Sequence, residues 1–323
     1  MSGEVNPPSD RGDARRLSVV IPVYNERAAL DELRQRLVTT LNGLDLDAEV
    51  IFVDDGSHDG SAERLDQFAE DDSRFRVIHL SRNFGHQPAL SAGIDHASGD
   101  AVVLMDGDLQ DRPEAIPEFI AEWRKGNEVV YAVRSSRRES LPMRAAFKLF
   151  YKVIQKMSGI RQPLDAGIFC LLDRRVVTVL KSMPERNRYF PGLRAYAGFV
   201  QAGVKVQRDA RFADTSRVRV LGLIKLAMDG IISFSFVPIR LITLSGVMVA
   251  FFSFAYIIRV LHKKWVTGEA ILGWASTLTA ILMLGGIQLI TLGVLGEYIG
   301  RIYEEVKKRP FYVIGRTKNL ERD

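Results

Sequence analysis

Ala101-Val102-Val103-Leu104-Met105-Asp106-Gly107-Asp108-Leu109-Gln110-Asp111 passes without a break from a short apolar run into a cluster of carboxylates, and Pro113 follows as a helix starter. An apolar run this short and continuous suits a strand buried on both faces. Two carboxylates two positions apart at the end of such a strand can share a hard cation through oxygen ligands, with the Gln110 carboxamide as a third. Ligands of open α/β sheets bind beyond the carboxyl ends of the strands. That position makes an Asp-x-Asp triplet, a weak signal by itself, a candidate metal site formed by Asp106, Asp108 and Gln110. A diphosphate carried on Mg²⁺ or Mn²⁺ is its natural client, because the metal neutralises charge on the departing group.

The same pattern repeats upstream. Short β-branched runs at residues 17–23, 50–53, 76–80, 101–105 and 128–133 predict strands, and the segments 26–41 and 61–70 are long enough for crossover helices. The expectation is a doubly wound, mostly parallel sheet with helices on both faces. Its first and second strands also end in polar residues. Asp54-Asp55 is followed by Gly56-Ser57-His58-Asp59-Gly60-Ser61, in which the glycines permit a tight turn and Asp59, Gly60 and Ser61 are helix-capping types. These carboxylates could hydrogen-bond a base or ribose hydroxyls; a plain capped turn explains the same residues. Pro22-Val23-Tyr24-Asn25-Glu26 could line a nucleotide pocket through stacking by Tyr24 and the Glu26 carboxylate. The chain contains no G-x-G-x-x-G and no G-x-x-x-x-G-K-[ST], so a dinucleotide or P-loop site lacks its phosphate cradle.

The last third of the 323 residues differs in character. Residues 241–258 are uncharged between Arg240 and Arg259, and residues 270–296 between Glu269 and Glu297. Each is long enough for a bilayer core, which takes ~20 helical residues, so a hairpin of transmembrane helices at about 238–260 and 270–296 is expected. Arg217, Arg219, Lys225 and Arg240 precede it and Arg301, Lys307, Lys308 and Arg309 follow it, against His262, Lys263 and Lys264 in the connecting loop. The positive-inside rule then places both termini in the cytoplasm. In 220–236 Leu221, Ile224, Met228, Ile231 and Ile232 recur at helical spacing, which suits a helix lying in the interface plane. The expected order is a disordered lead (1–16), a catalytic domain (17–215), an amphipathic juxtamembrane region (216–236), the hairpin (237–299) and a cytoplasmic tail (300–323).

Composition sets bounds on the rest. The formal charge of +5 is modest and Lys and Arg are scattered, so no nucleic-acid arm is present; anionic lipid and phosphate are better partners. The single cysteine, Cys170, lies in the apolar run 168–172 and is expected to be buried packing. The five histidines show no metal-ligand spacing, and surface or turn roles are the default for them.

Taken together, Val20-Ile21-Pro22-Val23-Tyr24-Asn25-Glu26, Val53-Asp54-Asp55-Gly56-Ser57-His58-Asp59-Gly60, Ser81-Arg82-Asn83-Phe84-Gly85 and the Met105–Asp111 stretch resemble the family 2 glycosyltransferases of GT-A fold. The resemblance runs over nearly the whole chain after Leu17. It is greatest to the polyisoprenyl-phosphate branch, which includes bactoprenol glucosyltransferases and dolichol-phosphate mannose synthases. It implies a metal-dependent enzyme of the bacterial inner membrane that moves one sugar, glucose from UDP-glucose in the first instance, onto undecaprenyl phosphate with inversion. UDP-amino sugars, UDP-galactose and GDP-mannose are the alternative donors. A non-catalytic partner of a lipid-sugar flippase is the rival from another class, and relatives imply a homo-oligomer.

By the same resemblance Pro22, Tyr24, Asn25, Glu26, Asp54, Asp55 and Asp106 line the nucleotide-sugar site, and Asp106, Asp108 and Gln110 hold Mg²⁺ or Mn²⁺. Asp108, Asp165 and Arg134 stand at the reaction centre. Arg134, Arg137, Arg144, Ser216 and Arg217 take the acceptor phosphate, for which a guanidinium fork is well suited. The chain departs from the family at Asp214-Thr215-Ser216-Arg217-Val218, where relatives read Gly-x-Ser-Lys-Tyr: the charge survives, the glycine and aromatic do not.

Overall fold

A computed structural model describes residues 16–134, 166–186, 188, 190–206, 237–267 and 273–320. Among these, the residues up to 206 and those from 309 onward cluster in one compact unit, and residues 237–308 belong to a second.

In the first unit β1 (Arg16–Val23), α1 (Leu30–Asn42), β2 (Asp47–Asp54), α2 (Ser61–Asp71), β3 (Phe75–Leu80), α3 (His86–His96) and β4 (Ala101–Leu104) alternate as expected. A turn of 3-10 helix at Pro113–Ala115 leads into α4 (Ile116–Arg124) and β5 (Val129–Arg134). β6 (Ala166–Asp173), α5 (Arg174–Ser182), α6 (Phe190–Tyr196), β7 (Gln201–Val206) and, far along the chain, β8 (Ile314–Lys318) complete an eight-stranded sheet ordered β7-β5-β6-β4-β1-β2-β3-β8. The block β4-β1-β2-β3 is parallel throughout. Its alternating side chains feed two cores. Leu17, Val19, Ile21, Val50, Phe52 and Val103 pack with α1, α2 and α4, while Val20, Ile51, Val53, Val102 and Leu104 pack with α3 and α5. Burial on both faces is why these strands read as unbroken apolar runs rather than as alternation.

The sheet is the GT-A-like mixed α/β sheet, with two differences from the plainest doubly wound pattern. β5 does not neighbour β4; β6 lies between them, antiparallel to both. The apolar run around Cys170 is the middle of that strand, and the cysteine is free and 2% exposed. A second departure is at the other edge, where β8 from the tail pairs antiparallel with β3.

At the amino ends of the strands Glu49 is buried at 1% exposure and accepts from Ser18 Oγ and from the Ser98 backbone, while Arg76 stands 2.7 Å from it. Burial alone would raise its carboxyl pKa; the hydroxyls, the Ser98 N–H and Arg76 hold it below the usual range. Its contribution to stability is therefore complete above the unfolded-state pKa and is lost as pH falls through the folded one. Glu49→Ala strands Arg76 and three donors, and the expected loss is about 3 kcal/mol, read as a lower midpoint in denaturant at pH 7.

The second unit consists, among its described residues, of α7 (Val237–Thr267) and α8 (Trp274–Val306), of 31 and 33 residues. At 1.5 Å per residue both are longer than a ~30 Å hydrocarbon core. The stretches Ile242–Val260 and Met283–Val306 have mean hydropathies of 1.7 and 1.3, and Phe251, Phe252, Leu289 and Ile290 are exposed. Apolar surface of this extent suits lipid. Two details differ from expectation: His262, Lys263 and Lys264 continue α7 instead of forming the loop, and α8 runs on to Val306 past the end of the uncharged stretch. The juxtamembrane region 216–236 lies outside the described residues.

Candidate active site

The carboxyl ends of β1, β2, β3 and β4 bring together four of the expected motifs. After β1, Asn25 takes a left-handed φ of 56°. Its backbone N–H donates to Ser57 Oγ at 3.0 Å and its side-chain oxygen accepts the His58 N–H at 2.8 Å. The Glu26 N–H donates to Ser61 Oγ at 3.2 Å. The turns after β1 and β2 are thus stitched into one rim, from which Tyr24 projects at 45% exposure. Pro22 is buried beneath it.

The two carboxylates after β2 are used differently. Asp54, 3% exposed, accepts the Ser57 N–H at 2.9 Å through Oδ1 and faces His79 Nδ1 at 2.9 Å through Oδ2. Asp55, equally buried, accepts the backbone N–H groups of Phe84 and Gly85 at 2.7 and 2.8 Å. Its carboxylate latches the Ser81–Gly85 motif onto the β2 turn. Burial pushes both pKa values up; in Asp54 the bonds from His79 and Ser57 outweigh it and hold the carboxyl low, while in Asp55 burial wins and the Asp54 charge adds to it. On acidification Asp55 therefore takes a proton before Asp54 does.

After β4 the Asp106–Asp111 loop folds on itself. Asp111 Oδ2 accepts the Asp106 N–H at 3.2 Å, Asp108 Oδ1 accepts the Gln110 N–H at 3.1 Å, and Leu109 sits at φ 62°. A Cβ at Gly107 would stand 3.2 Å from the Pro22 carbonyl, so this position presses the loop against the end of β1. Asp106, Asp108 and Gln110 are half-buried. His86, the first residue of α3, meets Asp106 Oδ1 at 2.8 Å. Among the described residues no three His, Cys, Asp or Glu side chains form a ready-made cage. Two carboxylates and a carboxamide nevertheless fit Mg²⁺ or Mn²⁺ arriving with a diphosphate, since Mg²⁺ is commonly bound by one or two carboxylates plus substrate phosphates.

Arg134 closes β5. Asp165, Arg137, Arg144, Ser216 and Arg217 lie outside the described residues. Three residues were not singled out by the sequence. His79, for which a surface role is the default, is 5% exposed between Asp54 and Asp66. His86 reaches the Asp106–Asp111 loop. Arg194 of α6 is 3% exposed with Nη1 on the Gly167 carbonyl at 3.3 Å and its guanidinium 5.1 Å from the Tyr131 ring centre, and among the described residues its Nε and Nη2 have no hydrogen-bond partner. Only β3's position beside α2 could have flagged His79, and nothing in the local sequence flags Arg194.

Residues 18–180 match the description of glycosyl transferase family 2, and residues 237–302 match the GtrB C-terminal hairpin. The chain is 44% identical over 306 residues to the uncharacterized glycosyltransferase sll0501 of Synechocystis sp., covering 94% of this chain and 96% of that one. It is 42% identical over 305 residues to the uncharacterized glycosyltransferase YkcC of Bacillus subtilis, covering 94% of each. It is 40% identical over 303 residues to the bactoprenol glucosyl transferase of Shigella phage SfII, covering 94% of this chain and 98% of that one.

Proposed function

The chain belongs to glycosyl transferase family 2, and from that membership we propose that it moves a single glucose from UDP-glucose onto a polyisoprenyl phosphate, undecaprenyl phosphate, at the cytoplasmic face of a bacterial inner membrane. The observation that carries the reading is the continuity of the site: Asp55 latches Gly85, His86 touches Asp106, and Gly107 abuts Pro22. The nucleotide turn and the candidate metal turn are parts of one floor. The lipid acceptor is supported by the apolar helices and by the bactoprenol glucosyl transferase relatives.

In this reading Asp54 accepts hydrogen bonds from the base or ribose, Tyr24 offers its ring to the base, and Asn25 and Glu26 complete the rim. Asp106, Asp108 and Gln110 would hold Mg²⁺ or Mn²⁺, which when bound supplies positive charge to the departing diphosphate. Arg134, together with Arg137, Arg144, Ser216 and Arg217, holds the acceptor phosphate. That phosphate's second pKa of ~6 leaves its oxygen ionised at neutral pH, so no strong general base is needed. Asp165 orients a substrate rather than removing a proton. A single in-line displacement at the anomeric carbon breaks the bond to the diphosphate as the phosphate oxygen bonds, and configuration inverts. Both termini are cytoplasmic, and the protein works as a homo-oligomer that passes its product to a flippase partner.

The test incubates the purified full chain in detergent with undecaprenyl phosphate, Mg²⁺ or Mn²⁺, and a panel of UDP-glucose, UDP-galactose, a UDP-amino sugar and GDP-mannose. Acceptor-dependent UDP release from UDP-glucose alone is expected, with a β-linked product by NMR from the α-linked donor. Release from another member moves the donor assignment; no release from any sinks the enzymatic reading.

A further inference from the structure

The tail beyond α8 reads as a solvated cytoplasmic extension, yet residues 309–320 are built into the first unit. Tyr312 Oη donates to Asp95 Oδ2 at 2.8 Å, Arg186 reaches the Arg309 and Pro310 carbonyls, and the Ser81 N–H donates to the Val313 carbonyl at 2.9 Å. Lys318 pairs with Glu70 at 2.9 Å, and the Asn319 amide donates to the carbonyls of Ala69 and Phe75. An edge strand needs cover, but cover alone does not require what happens at its centre.

There Arg316 stands opposite His79 in the antiparallel register. Directly opposed residues share a face of the sheet, and this face is the one under α2. Both side chains converge on one carboxylate of that helix: Arg316 Nη1 binds Asp66 Oδ2 and His79 Nε2 faces Asp66 Oδ1 at 2.9 Å. The other ring nitrogen of His79 faces Asp54 Oδ2 at 2.9 Å. A ring bridging two carboxylates cannot turn without losing both bonds. Asp54, whose second oxygen is on the Ser57 N–H, is then fixed in one orientation. The line Arg316, Asp66, His79, Asp54 joins a strand from the far end of the chain to the floor of the donor site.

We propose that the returning tail is a working part of the donor site, in which Arg316 and His79 act as positioning residues that hold Asp54 ready to receive the nucleoside of a nucleoside diphosphate. This rests on the reading of Asp54 as a donor contact. Its consequence is that donor affinity depends on residues that follow the membrane hairpin in sequence, while acceptor affinity does not.

The experiment uses the full-length protein in nanodiscs with Mg²⁺, titrating UDP by calorimetry and measuring kcat and both KM values for Arg316→Ala, Arg316→Lys, His79→Gln and Asp54→Asn, with Tm for each. Loss of a bond onto a charged group predicts a rise in UDP Kd and donor KM of about tenfold for His79→Gln and about threefold for Arg316→Ala. For the Arg316 and His79 variants the expected kcat stays within about twofold and acceptor KM is unchanged, and a chain carrying both Arg316→Ala and His79→Gln is no worse than His79→Gln alone because the two act in series. Arg316→Lys should recover most of the affinity. Wild-type UDP affinity in both the Arg316 and His79 variants, with Asp54→Asn impaired, overturns the inference and leaves the Asp54 reading standing. Wild-type affinity in Asp54→Asn removes that reading and the inference with it. A fall in Tm and kcat with unchanged UDP Kd would show the tail to be only a structural staple, and if His79→Gln does not fold, the two Arg316 variants decide.

Discussion

Asp108→Ala is expected to lower acceptor-dependent UDP release by about 10²- to 10³-fold, a loss of roughly 3–4 kcal/mol from the transition state. Asp108 is half-buried in the turn after β4 and accepts a hydrogen bond from the Gln110 N–H within the same loop. In the proposed reading that charge balances a departing diphosphate, and the residue keeps part of its surface in solvent. Tm should therefore change little, by the ~0.5 kcal/mol usual for surface positions. Asp111→Ala gives the contrast. That carboxylate is 5% exposed and accepts the Asp106 N–H, so its loss should lower Tm as well as rate. Asp108→Asn keeps the shape and the Gln110 contact but removes the charge, and it should behave like Asp108→Ala. An Asp108→Ala enzyme retaining activity within a factor of about three would remove the metal role from this loop, since a charge of this kind cannot be so cheaply lost.

The parts of the molecule legible in the sequence are those where one physical cause acts alone. Strands β1 to β4 are buried on both faces, so hydrophobicity writes them as continuous runs, and polar residues follow each at the carboxyl edge, where open α/β sheets bind their ligands. The illegible parts depend on partners distant in the chain. β6 is antiparallel to both neighbours and so falls outside the parallel strand-and-crossover pattern that announces β1 to β4. β8 has the composition Ile314-Gly315-Arg316-Thr317-Lys318, which looks like a tail because its stability comes from β3 and from Asp66 and Glu70. Asp55 reads as half of a ligand-binding pair, yet both its oxygens are used on the Phe84 and Gly85 backbone. A carboxylate motif states where charge is needed; whether the charge meets a ligand or a neighbouring N–H is decided by the loop from another strand.

That loop contact makes Gly56 the most constrained small residue of the site, and Gly56→Ala should be far more damaging than its size suggests. Gly56 has φ 73°, and a Cβ there would lie 2.8 Å from both Arg82 C and Asn83 N. These are backbone atoms, unable to swing aside as a side-chain end would. The left-handed conformation costs an L-residue about 1–2 kcal/mol, and overpacking adds about 1–3 kcal/mol, so a loss of roughly 2–5 kcal/mol is expected in chemical denaturation. Relief can come only by moving the Ser81–Gly85 segment away from the β2 turn. That motion would draw Phe84 and Gly85 off Asp55 and carry His86 off Asp106, so UDP affinity should fall together with stability. Gly60→Ala separates strain from contact: its φ is 88°, but the nearest atom is Arg27 Cδ at 4.0 Å. It should cost only the conformational part, about 1–2 kcal/mol, with UDP affinity unchanged. Equal effects of the two substitutions on stability and on binding would mean that the Arg82–Asn83 backbone yields freely, and that the two turns are not the rigid floor their contacts describe.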